Sequence, residues 1–230
     1  MSSFLLHVCL IMTAVGTPTY SRPHKLTEPI GTGINVYVRV LYDNNTIPGN
    51  KIRGSKGTES VRMDQTFEKI FKEVEKKFHT YNIMISINVT KVKELKYDVR
   101  VPLNDTPGGL DGPKTLDKLV KLQQTRFVNN VIVYFFTRSS IYLQIGEDDN
   151  VPIPKFDVET RRTFCTVNTS AAVVMYVDTQ PEDFAFRAAT FIFGSTRYDY
   201  FERTDFEYMN ETFEWCRRNE AAIAAQQNDR

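Results

Sequence analysis

The chain has 230 residues, 25% of them charged and 41% apolar, a balance ordinary for a globular protein and enough for one domain with a sizeable core. Its formal net charge of +1 supplies no global field for nucleic acid or an anionic membrane, so neither is an expected partner. It has no run of about 18 apolar residues that could span a bilayer.

The first stretch, with Phe4, Leu5, Leu6, Val8, Leu10, Ile11, Met12 and Val15 followed by small residues, reads as a signal peptide over 1–20. A short lead with Pro and Gly (21–33) precedes a single domain over 34–230. Ile34, Val36, Val38 and Val40 alternate with Asn35, Tyr37 and Arg39, the period of a strand. Residues 44–57, with Pro48 and three glycines, read as a loop, and Ser60 as the cap of a helix over 61–79. In that helix Phe67, Ile70, Phe71, Val74 and Phe78 fall on one stripe, and the lysines read as a solvated face.

Ile83, Ile85, Ile87 and Val89 form a second alternating strand, and the Pro-Gly-Gly and Asp-Gly dipeptides within 106–113 read as turns. A helix over 115–124 and a continuous apolar strand over 130–137 follow. Residues 139–162 are irregular, with an edge strand expected near 156–163. Ala171 to Val177 reads as a buried strand, and Glu182 and Asp183 open a helix that is apolar nearly all round. Strands alternating with helices imply an α/β sandwich with a largely parallel sheet.

Asn44, Asn88, Asn104, Asn168 and Asn210 each open an Asn-x-Ser/Thr acceptor site, which carries a glycan only in a chain that enters the secretory pathway. With Cys9 inside the signal segment, Cys165 and Cys216 remain as the expected disulfide. The histidines of the mature chain are His24, in the lead, and His79, at a helix end. Glu147, Asp148 and Asp149 lack the spacing of a calcium loop and read as a solvated turn. No Gly-x-Ser-x-Gly elbow is present to support a serine triad.

The run Phe164-Cys165-Thr166-Val167-Asn168-Thr169-Ser170-Ala171-Ala172-Val173-Val174, followed by Ala188-Ala189-Thr190, resembles the reprolysin-like metzincins, in particular the secreted salivary metalloproteases of ticks. Active members continue His-Glu-x-Gly-His-x-x-Gly-x-x-His-Asp. In that register this chain reads Phe191, Ile192, Phe193, Gly194, Ser195 and onward to Phe201 and Glu202. The three ligand positions are thus Phe191, Ser195 and Phe201, and the general-base position is Ile192. Zinc hydrolysis needs neutral imidazoles to hold the ion and a carboxylate to take a proton from its bound water, and none of these side chains does either.

Tyr208-Met209-Asn210 resembles the family's methionine turn, and Phe213-Glu214-Trp215-Cys216 the segment before its C-terminal helix; the family disulfide coincides with Cys165–Cys216. The resemblance implies a metzincin-like αβα sandwich with a mixed, mostly parallel sheet. The rings at 191, 193 and 201 are expected to fill the space of the metal centre, and the residues of 184–195 to form the helix that would carry it. The expected protein is secreted, monomeric and without cofactor or metal, a non-catalytic binder of an extracellular or host protein. The alternative is a metal-dependent peptidase using other ligands, and a glycoprotein with no ligand is a third possibility.

Overall fold

A computed structural model describes residues 28–43, 56–95, 99–103, 106–123, 129–143 and 152–228, with side chains from 63 onward in the first helix and up to 219 in the last. The signal segment with Cys9, His24, Asn44, Asn104 and Glu147 to Asp149 lie outside these residues.

Five strands build the main sheet: β1 (Asn35–Tyr42), β2 (Ser86–Glu94), β4 (Val131–Thr137), β7 (Asp157–Glu159) and β8 (Ser170–Met175). β3 (Leu110–Asp111), β5 (Ile141–Leu143) and β6 (Ile153–Lys155) form a small second sheet. The main order is β2-β1-β4-β8-β7, parallel throughout except for β7, which runs antiparallel along the edge of β8. The expected α/β architecture with a mostly parallel sheet is the observed one.

Alternation along the strands assigns each side chain to a face. Ile132, Tyr134 and Phe136 of β4 join Val36, Val38 and Val40 of β1 beneath the helices α1 (Lys56–Thr80), α3 (Pro181–Ile192) and α4 (Arg203–Asn228). Val133 and Phe135 face the other way, with Ala171, Val173 and Leu119 of α2 (Gly112–Gln123). That double cover is why β4 has no polar residue before Thr137.

In β2 the register to β1 slips between Val38 and Arg39, so Thr90 is the extra residue of a bulge, and its hydroxyl donates to the Val38 carbonyl at 3.1 Å. The slip accounts for the alternation that ends at Val89 and resumes with Val92 on the same core.

Three local expectations are corrected. α1 begins at Lys56, so Ser60 lies within the helix instead of capping it. Asp111-Gly112-Pro113 is the start of α2 and not a turn: the Asp111 carboxylate accepts from the Lys114 amide at 3.0 Å, an N-terminal cap. A Cβ at Gly112 would stand 2.7 Å from Val158 and 2.8 Å from Ile141, so only glycine fits that approach. Finally, Met209 lies inside α4, fully buried, and not in a turn, because the helix begins at Arg203 and runs on through Cys216.

Cys165 and Cys216 are bonded, with their Cα atoms 5.1 Å apart. The bond ties the segment before β8 to α4 across 51 residues. None of the described helices is long and apolar enough to cross a membrane. Closing a loop of that length restricts the unfolded chain by about 4 kcal/mol. Reduction is therefore expected to lower the unfolding free energy by about that amount, read as a fall in the urea midpoint with a steeper slope, because the released unfolded chain exposes more surface; an unchanged unfolding free energy would show that packing alone holds the two segments together.

Candidate functional site

α3 is set by its ends. Pro181 occupies the first turn, where its missing N–H is not needed, and Glu182 and Asp183 complement the positive end of the helix. Lys77 of α1 pairs with both acids, bonding directly to Asp183. The helix stops at Ile192 because Gly194, two residues on, takes a φ of +107°, a left-handed conformation open to glycine. The helix expected over 184–195 is thus displaced toward its N-terminus, and Ser195 stands in the turn after it.

Beneath α3, β7 places Asp157 and Glu159 on one face of the sheet edge, two residues apart. The Asp157 side chain is fully buried, and its Oδ1 lies 3.0 Å from Arg187 Nε of α3. The two make an ion pair by distance, yet neither the carboxylate oxygens nor Nε form a directed hydrogen bond. Glu159 accepts from Arg161 Nε at 3.1 Å. Burial is the main reason that the Asp157 carboxyl is pushed up to about 7; Arg187 pulls it back and Glu159 raises it further. Glu159 is raised too, by burial against the pull of Arg161 and Arg187. Tyr134, whose hydroxyl donates to the Ala185 carbonyl at 3.2 Å, is raised by burial and by both carboxylates.

Aromatic rings cover these cations. Tyr198 lies 4.7 Å from the Arg187 guanidinium and Phe191 lies 4.4 Å from that of Arg161, while the two rings meet edge to face at 6.1 Å. Outside this cluster a pocket of about 470 Å3 opens between the end of α1, the first half of α3 and the segment before β7. Arg187 and Tyr198 line it, and Phe156 stacks on Phe184 along one wall at 4.5 Å.

The positions singled out by the sequence are not gathered into one place. Ile192 is fully buried in the main core. Phe201 packs there against Tyr81, Phe186 and Phe206. Phe191 instead faces Arg161 and Tyr198, and among the described residues no ring contact joins it to Phe201. Phe193 lies in the main core with Phe201, against Phe78, Phe164 and Phe213, so the rings at 191, 193 and 201 do not fill one common space. The Ser195 hydroxyl is committed to the Arg197 carbonyl at 2.6 Å and to Asp205 at 3.1 Å.

Asp205 also accepts from the Thr196 and Glu202 amides at 2.8 and 3.0 Å. Burial pushes its carboxyl up, but these hydrogen bonds outweigh it and hold the group below its usual value. The zinc that the resemblance implies does not fit these residues: phenyl and sec-butyl groups offer it no donor, and the one hydroxyl is already bonded. Among the described residues no group of three or more His, Cys, Asp or Glu could hold a metal ion. His79 is turned to the Ile85 carbonyl at 2.9 Å. Of the glycan acceptors, Asn88 on β2 and Asn168 before β8 are exposed, whereas Asn210 is half-buried on α4 and its partner Thr212 is buried and bonded to the Tyr208 carbonyl.

No model of a protein family matches the sequence, and no curated protein matches it. Solved structures similar to the chain include metalloproteinase-II from Bacteroides fragilis, at 11% identity and a TM-score of 0.44 over 86% of this chain and 58% of that one. Another is archaemetzincin from Methanopyrus kandleri, at 14% identity and 0.42 over 82% of this chain and 97% of that one. A chaperone–substrate complex is similar at 7% and 0.42 over 70% of this chain and 23% of that one. Likenesses this distant carry no argument about activity.

Sequence reasoning missed the acid–arginine cluster, although a signal for it was present. Asp157-x-Glu159-x-Arg161 puts three charges on one side of an expected strand, and Arg187 interrupts an otherwise apolar helix. The cluster sets a pH dependence. Unfolded, Asp157 ionises near pH 4, whereas folded it holds its proton to about 7, so stability falls as pH rises through that window. Asp205, shifted the other way, withdraws stability only as pH falls below about 4. The melting temperature is expected to decline between about pH 4 and 7, and Asp157→Asn to flatten most of that decline; a melting temperature that rises across the window would contradict the assignment.

Proposed function

We propose that the chain is a secreted, glycosylated and non-catalytic relative of the reprolysin-like metzincins, similar to the salivary metalloproteases of ticks, that binds an extracellular or host protein. The observation that carries this reading is the register of one segment. The Cys-x-x-Asn strand motif, the Ala-Ala-Thr of the next helix and Gly194 all keep the family's spacing, while Phe191, Ile192, Ser195 and Phe201 stand at the positions of the three imidazoles and the general base. Support from the fold is local: the motif lies along and before β8, α3 follows it, and Cys165 is bonded to Cys216.

Peptide hydrolysis by a zinc site depends on a bound water, its deprotonation and polarisation of the carbonyl. A register with no imidazole at the ligand positions and no carboxylate at the general-base position lacks the groups for all three steps. A bonded cysteine pair and exposed acceptor asparagines at 88 and 168 suit an oxidising compartment in which glycans are added.

Purified, unmodified protein is expected to hold less than about one-tenth of a zinc ion per chain by elemental mass spectrometry and to leave gelatin and fibrinogen intact. One zinc per chain with chelator-sensitive cleavage would replace this reading by that of a metal-dependent peptidase. Protein secreted from eukaryotic cells is also expected to lose mass on glycosidase treatment, and to lose less when Asn88 and Asn168 are changed to Gln. An unshifted mass would remove glycosylation from the proposal.

A further inference from the structure

We propose that the pocket between α1, α3 and the segment before β7 binds a small organic acid with an aromatic or branched aliphatic body, its carboxylate held by the terminal nitrogens of Arg187. This goes beyond the binding role proposed above and does not depend on it.

The pocket holds about 470 Å3, within the range of small-molecule sites. Its two cations differ. Lys77 is already matched by Asp183 and Glu182. Arg187 keeps 19% of its side-chain surface: Nε is buried against Asp157, the flat face of the guanidinium lies on Tyr198, and the terminal nitrogens form no hydrogen bond with the described residues. A guanidinium with its near nitrogen at ion-pair distance from Asp157 and its face on a ring offers its outer pair of N–H groups in the fork that matches a carboxylate. Beside it stands an apolar wall, Phe156 stacked on Phe184, with Phe156 47% exposed. A charged head and an apolar body are both provided for.

The partner behind Arg187 makes the site sensitive to pH. The charged or titratable groups around Asp157 are Glu159 and Arg161 on and after β7, Lys155 on β6, Arg187 on α3 and Tyr134 on β4. When Asp157 takes up a proton near neutrality, Arg187 loses the counter-charge against its Nε and keeps the weaker hold of Glu159. A ligand carboxylate then supplies the missing charge, so binding strengthens as the pH falls toward 6.

The test is calorimetric titration of the full chain with 3-phenylpropanoate, 3-phenylpropanamide and inorganic phosphate at pH 6 and pH 8. The acid is expected to bind saturably, about tenfold more tightly than the amide, since one charge-assisted pair is worth about a decade of affinity. It is also expected to bind more weakly at pH 8 than at pH 6, and more tightly than phosphate at both. The double variant Asp157→Asn/Arg187→Gln, which removes both buried charges together, is expected to abolish the preference for acid over amide. If that variant does not fold, Phe156→Ala decides, with affinity for acid and amide falling together. The inference is overturned by absence of saturable binding of the acid, by equal affinity for acid and amide, by phosphate binding as tightly as the acid, or by an acid preference that survives in the folded double variant. A peptide ending in a free phenylalanine that binds more tightly than 3-phenylpropanoate overturns the assignment to a small acid.

Discussion

The fold depends on β4, a strand that has to be covered on both faces. Its seven residues are apolar as far as Thr137, and alternation sends Tyr134 and Phe136 to one side and Val133 and Phe135 to the other. Burying such rings and branched chains stabilises by about 1.5 to 3 kcal/mol each, so neither face can be left to water. One helix suffices above Val133 and Phe135, where the facing residues of β8 are small or branched. The opposite face is deeper and aromatic, and it takes α1, α3 and α4 together. Edge-to-face contacts such as Phe71 with Tyr134 at 4.8 Å and Phe164 with Phe193 at 5.0 Å fix how these layers interlock.

The candidate site arises where that cover runs out. β7 is three residues long, antiparallel and, among the described residues, paired only to β8, so α3 lies partly on the sheet and partly over its edge. An edge strand roofed by a helix is a place where charged side chains can be buried at the base and reach solvent at the rim. Asp157 takes the base and Arg187 the rim. Breaking such a pair by removing one partner leaves an uncompensated buried charge, whereas replacing both together is often tolerated. The pair thus contributes little net stability by itself, and it sets Arg187 between the buried Asp157 carboxylate and the Tyr198 ring.

Much of the architecture was legible in the sequence because period two and period 3.6 report burial on one face or stripe. The alternation from Ile34 to Leu41, the stripe from Phe67 to Phe78 and the apolar run from Val131 each correspond to an observed element. The misreadings share a cause, namely that local punctuation was read without its tertiary partner. Asp111-Gly112-Pro113 has turn composition, yet the aspartate caps a helix and the glycine permits close approach to Val158. Thr90 looks like an ordinary strand residue until its pairing with β1 slips. Arg187 was the hardest to value, since a single cation in an apolar helix acquires meaning only when Asp157, thirty residues earlier, is placed beneath it.

The helix over the site is tied at both of its ends. At the start, Lys77 joins the first turn to α1. At the end, Gly194 turns the chain so that Ser195 and Thr196 reach the Asp205 carboxylate, which also receives the Glu202 amide at the opening of α4. Cys165–Cys216 then links α4 to the segment before β8, beside the strand that carries β7. The helix that carries Arg187 and Phe184 is therefore attached at both ends to one connected frame. Binding in such a site spends little free energy on ordering the protein, which lets a single fork of donors beside an apolar wall discriminate an acid from its amide.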